Sequence, residues 1–353
     1  MDKVARTVVQ RHRGFLTICV AGAVMLMALG RPGCAVHAKG MTVPHVAEGK
    51  IVQIDRFLSQ YVQPQTVDVW LPPGYPGQAP YAVLYMFDGQ MLFDAHITWN
   101  HESWHAARTA ARLIASGKTR PFIIVGIWNN SLRMSEYYPQ KPWESLTPAQ
   151  RRAIFARRFY GHQLFKVAPF SDAFLRFLTQ ELRPVIDHRF AVDPKRDATF
   201  VMGSSMGGLL AWYALAEYPK IFGGAACLST HWPGTTFPEK PVPPTPSTNA
   251  FVRFIRRHFP SPMHHRIYFD HGTLTLDAAY GPPQHRVNRL LRAKGWTGHH
   301  LKSLVFPGAN HSEDSWAARL AIPMTFLLAP RALAHTASRS AHPTRGGRAM
   351  KAR

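Results

Sequence analysis

The pentapeptide Gly203-Ser204-Ser205-Met206-Gly207 sits between a short apolar run (198–202) and a second run (209–218) that reads as an amphipathic helix. A chain passes from strand to helix in so few residues only through a sharp turn. Such a turn lifts a serine hydroxyl clear of the backbone only where the residues two before and two after it have almost no side chain. Gly203 and Gly207 bracket Ser205 in that way. Ser205 is therefore expected at the end of a strand, exposed as a nucleophile.

Around this turn, apolar and amphipathic runs alternate. Candidate strands cover 51–55, 66–71, 81–87, 122–128, 198–202, 223–228, 266–269 and 301–306; candidate helices cover 101–116, 171–188, 206–218, 278–294 and 313–328. The alternation predicts an α/β fold, a mostly parallel twisted sheet with helices on both faces. The first two strands, close in sequence, predict an antiparallel edge. Two stretches stand outside this minimum: 135–169, polar, aromatic and Arg-rich, and 232–261, loaded with prolines. Each reads either as an insertion over the C-terminal edge of the sheet, where ligands sit in such folds, or as a long solvated loop.

Ahead of the body, Lys3, Arg6, Arg11 and Arg13 precede an uninterrupted apolar stretch (15–29) and the small-residue site Val36-His37-Ala38. The pattern predicts a signal peptide cleaved near Ala38 and a periplasmic or secreted protein, the apolar run being short of the roughly 20 residues a membrane span needs. The expected organisation is a signal peptide (1–38), a flexible lead-in (39–50), a catalytic domain (51–330) and a basic disordered tail (331–353). Cleavage would leave Cys227 as the sole cysteine, so no intrachain disulfide is expected. The formal net charge is +22, of which the two ends carry +4 and +6. The rest is spread out, without the Lys/Arg runs interleaved with aromatics that mark nucleic-acid binding, leaving at most a weak attraction to anionic surfaces.

A serine hydroxyl attacks a carbonyl only when an imidazole takes its proton and a carboxylate fixes and supports that imidazole. His311, just past the last candidate strand, is the expected base. Asp277, in the loop after the penultimate strand, is the expected acid, with Asp270 at the strand end as its alternative. Oxyanion donors are expected from the amide of Met206 and from Gly89 or Gln90 in the turn after the third strand. Trp232, Arg133 and His231 are candidate substrate contacts, each with a structural alternative: a packed loop aromatic, an ion pair with Glu136, and, for His231, a rival base. No spacing of Cys, His, Asp or Glu matches a metal site, and no cofactor is expected.

Four segments carry a resemblance: Tyr85-Met86-Phe87-Asp88-Gly89-Gln90-Met91-Leu92-Phe93-Asp94, the run from Val125 to Tyr137, Gly203 to Gly208, and the loop from Gly272-Thr273 to Asp277. Together they resemble an esterase family of α/β-hydrolases that embraces enterochelin, feruloyl and acetyl-xylan esterases, formylglutathione hydrolase and mycolyltransferases. The likeness covers roughly residues 50–328. It implies the α/β-hydrolase fold, Ser205, Asp277 and His311 as a triad, and Asp88-Gly89-Gln90 as the oxyanion loop. Thr273-Leu274-Thr275 departs from the many relatives that carry an acidic residue soon after the Gly-Thr pair. The expected activity is hydrolysis of carboxylic esters, on carbohydrate-linked or siderophore-type molecules, through an acyl-enzyme. Acyl transfer to a sugar or cell-wall acceptor is the alternative, and a non-catalytic glycan-binding protein a third reading.

Overall fold

Along the strand Ala82–Phe87, Val83, Tyr85 and Phe87 belong to one apolar cluster, and Ala82, Leu84 and Met86 to another. Successive side chains of a strand point to opposite faces, so both faces of this sheet are covered. The computed structural model describes residues 42–159 and 161–330. The expected signal peptide and basic tail lie outside the described residues.

The sheet has eight strands: β1 Lys50–Phe57, β2 Gln65–Leu71, β3 Ala82–Phe87, β4 Phe122–Ile127, β5 Thr199–Ser204, β6 Gly224–Leu228, β7 Arg266–His271 and β8 Leu301–Val305. Their order is β1-β2-β4-β3-β5-β6-β7-β8. β1 pairs antiparallel with β2, and β2 with β4; every other pairing is parallel. Because the parallel strands share one direction, the loops after β3, β5, β6, β7 and β8 all leave from the same edge.

One face is covered by α1 Ala106–Ala115, α6 Glu313–Arg319 and α7 Ala321–Leu328. The other carries α2 Ser171–Arg176 with its continuations Phe177–Leu182 and Arg183–Arg189, then α3 Met206–Glu217, α4 Pro246–His258 and α5 Gly281–Ala293. The middle segment Phe177–Leu182 is wound as a π-helix. Pro184, two residues past its end, has no N–H to give a regular i→i−4 bond.

Three expectations are corrected. α3 is not amphipathic: every residue from Met206 to Ala216 is buried. An all-round apolar helix belongs inside, and this one lies between the sheet and α4, with Trp212 against Phe251 and Phe254. The proline-rich stretch after Trp232 contains α4 itself, capped by the Thr245 hydroxyl on the Thr248 amide with Pro246 at the first turn. The segment before Pro169 likewise builds core, since Tyr138 packs on Trp143, Phe165 and Phe251 and donates its hydroxyl to Ser247. Finally, the described residues before β1, 42–49, are tied to the body rather than standing off as a flexible lead-in. The His45 amide donates to Asp94, and the Trp70 indole donates to the Glu48 carbonyl.

Candidate active site

Ser205 stands between β5 and α3 with φ 56° and ψ −118°, a conformation that a residue with a Cβ rarely adopts. The close approach beneath it explains the motif. A Cβ on Gly203 would come within 2.6 Å of the Gly207 carbonyl carbon. Gly203→Ala is therefore expected to lower stability by about 1–3 kcal/mol, measurable by urea unfolding, because the helix start would have to lift off the strand. Gly207 is less constrained, its nearest prospective neighbours being Asp88 Oδ2 and Phe87 Cβ at 3.4 Å.

Those two atoms also show how close the turn after β3 comes. Asp88 takes a left-handed conformation (φ 58°) and opens a 3-10 turn, Gly89–Met91. The first bond of that turn runs from the Met91 amide to the Asp88 carbonyl, so the amides of Gly89 and Gln90 are not used by it. Met206, as the first residue of α3, likewise has an amide that the helix leaves without an internal partner. Gly89 packs on β4, where a Cβ would meet the Gly126 carbonyl carbon at 2.6 Å, and the Gln90 side chain accepts from the Asn129 amide. The Asp88 carboxylate accepts from Arg133 Nε and Nη2 at 2.6 and 2.7 Å and from Asn129 Nδ2. Its amide donates to the Tyr137 hydroxyl. This bidentate pair fixes the turn and answers one expectation: the ion-pair partner of Arg133 is Asp88, not Glu136.

On the other side, His311 Nδ1 lies 2.6 Å from Asp277 Oδ1. Asp277 Oδ2 accepts from the Ser229 hydroxyl and from the Gly272 amide, both at 2.6 Å. Burial pulls the Asp277 carboxyl upward, but the hydrogen bonds from His311, Ser229 and Gly272 outweigh it and hold the group below the ordinary carboxylate range. A buried, ionised carboxylate at this distance fixes the His311 tautomer with its proton on Nδ1, leaving Nε2 free to accept one. Among the described residues no hydrogen bond joins Ser205 Oγ to His311, a contact that in an unliganded site often closes only around substrate.

Asp270, the alternative acid, is occupied elsewhere. Its Oδ1 accepts from Arg319 at 3.1 Å and its Oδ2 from the Tyr268 hydroxyl at 2.8 Å. Arg319 also donates to the Ser229 hydroxyl. One buried guanidinium thus offsets Asp270, and the remaining negative charge of the cluster faces His311. The two loops are locked together: the Thr275 hydroxyl accepts from the His311 amide and the Thr273 hydroxyl from the Gly308 amide. A Cβ on Gly272 would reach the Ala309 carbonyl oxygen at 2.1 Å. The Thr273-Leu274-Thr275 departure therefore has a structural use.

Two further candidates are corrected. Trp232 has no exposed surface: it stacks on Trp212 and its indole donates to Gln284. The chain after β6 dives inward there, so the ring is core. His231 is equally buried, with Nδ1 against the Tyr280 hydroxyl. Burial, with His311 and Arg133 beside it, pushes its pKa down to about 3, which leaves it neutral and a poor base. Its contribution is its amide, which donates to the Ser205 carbonyl.

Sequence reasoning missed Ser229, Arg319 and Asn129. The first two lie far apart in the chain, and neither sits in a recognisable motif; Asn129 lies in the run from Val125 to Tyr137 without an assigned role, and Asp88 was expected only as part of the oxyanion loop.

A parallel sheet with helices on both faces, a strained serine between β5 and α3, and an acid–histidine pair after β7 and β8 define an α/β-hydrolase. The sequence profile of the family described as "Putative esterase" matches residues 60–326, and the chain belongs to that family. Among curated proteins, the ferri-bacillibactin esterase BesA of Bacillus subtilis is 25% identical over 181 residues, 50% of this chain and 58% of BesA. The uncharacterized protein YbbA of the same organism is 23% identical over 166 residues, 46% of this chain and 56% of YbbA. The match thus spans little more than half the length of either relative. A solved ferulic acid esterase superposes with a TM-score of 0.56 at 18% identity, covering 81% of this chain and 99% of that one, a likeness of fold.

Proposed function

We propose that the protein is an exported serine esterase that hydrolyses carboxylic esters through an acyl-enzyme on Ser205. The observation that carries this reading is the 2.6 Å contact between His311 and the ionised, buried Asp277, on the same sheet edge as the strained Ser205 turn. In the reaction, Ser205 Oγ bonds to the ester carbonyl carbon while His311 Nε2 takes its proton. The carbonyl oxygen becomes an oxyanion, held by the Met206 amide and by one from the Asp88-Gly89-Gln90 turn. Collapse breaks the bond to the alcohol, which leaves with the proton from His311. Water then attacks the acyl-enzyme by the same route and releases the acid. Turnover of a panel of acetyl, feruloyl, long-chain and siderophore esters tests this, and no turnover of any of them would overturn it.

With Trp232 in the core, the aromatic best placed to meet substrate is Trp99, which leaves 82% of its surface exposed. Its loop is pinned beside the His311 turn, Asn100 donating to Glu313 at 2.7 Å and the Asp314 amide to Glu102. A flat ring of substrate, aryl or sugar, would stack there. Trp99→Ala is expected to lower kcat/KM for methyl ferulate about tenfold, the loss of one stacking contact, and to leave p-nitrophenyl acetate unchanged. Equal losses on both esters would remove Trp99 from recognition. BesA acts on ferri-bacillibactin by its name, and the ferulic acid esterase on a ferulate by its own; both support an ester with a bulky acyl part.

A further inference from the structure

At the opposite end of the sheet from Ser205, a solvent-open cavity of about 380 Å³ lies under the N-terminal ends of β5, β6 and β7. Its wall carries Arg120, Arg196, Arg266, His264, His299 and His300 against a single carboxylate, Asp197. Gathering three guanidinium groups in one concavity costs self-repulsion unless something offsets it. Part of the cluster has a structural use. Arg266 Nη1 donates to the Phe326 and Leu327 carbonyls at the end of α7, and Arg120 donates to the Asp197 carbonyl and covers the Phe200 ring. These contacts hold two of the three arginines in fixed positions.

Helix capping does not account for the rest. The Arg196 guanidinium makes no hydrogen bond to any described residue, and its Nε is shielded from water without an acceptor, an arrangement that ordinarily costs free energy. The His299 and His300 rings lie 4.1 Å apart, and His300 Nδ1 is turned back onto the His265 carbonyl, so the pair is held at the cavity with the other three ring nitrogens bonded to no described residue. The cavity thus presents positioned N–H donors in excess of acceptors. Planar guanidinium forks with neighbouring imidazoles match an oxyanion that has three or more acceptor oxygens better than a single carboxylate.

We propose that this cavity is an anion site that takes a phosphate-bearing group, separate from the edge that holds Ser205. Strands of five or six residues put about 20 Å between the two. The ligand chemistry is the same whether the phosphate belongs to a soluble compound or to a lipid headgroup, and the test separates them.

The experiment is isothermal titration of the full chain with sodium pyrophosphate, beside co-sedimentation with vesicles of phosphatidylglycerol and of phosphatidylcholine. Saturable one-to-one binding of pyrophosphate is expected, weakened at least tenfold by Arg196→Ala and by the double variant His299→Ala/His300→Ala. Unchanged thermal unfolding midpoints would show that both variants remain folded; the surface histidines cannot compromise the core. Retention on phosphatidylglycerol alone, lost with Arg196→Ala, assigns a headgroup; pyrophosphate binding without retention assigns a soluble phosphate compound. Absence of saturable binding in both arms overturns the proposal. So does binding that neither variant weakens, which would assign the attraction to the diffuse positive charge of the chain.

Discussion

Ser205→Ala is expected to cut ester turnover by about a millionfold while leaving the unfolding midpoint unchanged. The hydroxyl is the group that forms the covalent bond, so its loss leaves only whatever water attack the oxyanion donors can assist. The fold should not notice. Serine and alanine place the same Cβ at the same positive φ (56°), so the strain of the turn is already present in the native chain. Among the described residues the Ser205 hydroxyl is not part of a hydrogen-bond network whose loss would destabilise the protein. Ser204, one residue earlier, is buried at 3% exposure and faces away from solvent, so Ser204→Ala should retain turnover. A collapse of activity at Ser204 and not at Ser205 would shift the register of the whole site.

Asp277→Asn is expected to lower kcat by about 10⁴-fold. The reason lies in the donors around the two carboxylate oxygens. Oδ2 faces the Gly272 amide and the Ser229 hydroxyl, and that hydroxyl itself accepts from Trp316 and Arg319. An asparagine must therefore turn its carbonyl oxygen toward Gly272 and its NH₂ toward His311. The imidazole then accepts at Nδ1, carries its proton on Nε2, and cannot take one from Ser205. The developing cation also loses its counter-charge. Asp270→Asn should affect kcat far less, because that carboxylate is bound by Arg319 and Tyr268. Equal losses at both positions in folded protein would mean that the two aspartates act as one charged unit.

What could be read from the sequence followed from short-range physics. The turn at Ser205 was legible because two glycines bracket a serine between two apolar runs, and the strands because apolar runs buried on both faces are hard to mistake. His311 and Asp277 stood out by position, each in the loop after a late strand. The roles that failed were those decided by long-range packing. Trp232 follows a strand that ends at the site, as a substrate wall would, and only the stacking on Trp212 reveals that the chain turns inward. Arg133 has an acidic residue three positions on, yet its partner is Asp88, 45 residues away. α4 carried its own signals, Thr245 followed by Pro246 and apolar residues at 250, 251, 254 and 255, but the surrounding prolines masked them. The hub at Ser229, which joins Asp277, Arg319 and Trp316, is assembled from segments some 50 to 90 residues apart, and local sequence carries no trace of it.

The most direct test is covalent labelling with a fluorophosphonate, followed by intact mass and peptide mapping of the full chain. One equivalent of adduct on the peptide that contains Ser205, at the Ser205 hydroxyl and absent from Ser205→Ala, is the predicted result. Its rate should fall steeply in Asp277→Asn, since the label needs the same proton transfer as the ester. Folded protein that takes no label, or takes it on another residue, would contradict the account.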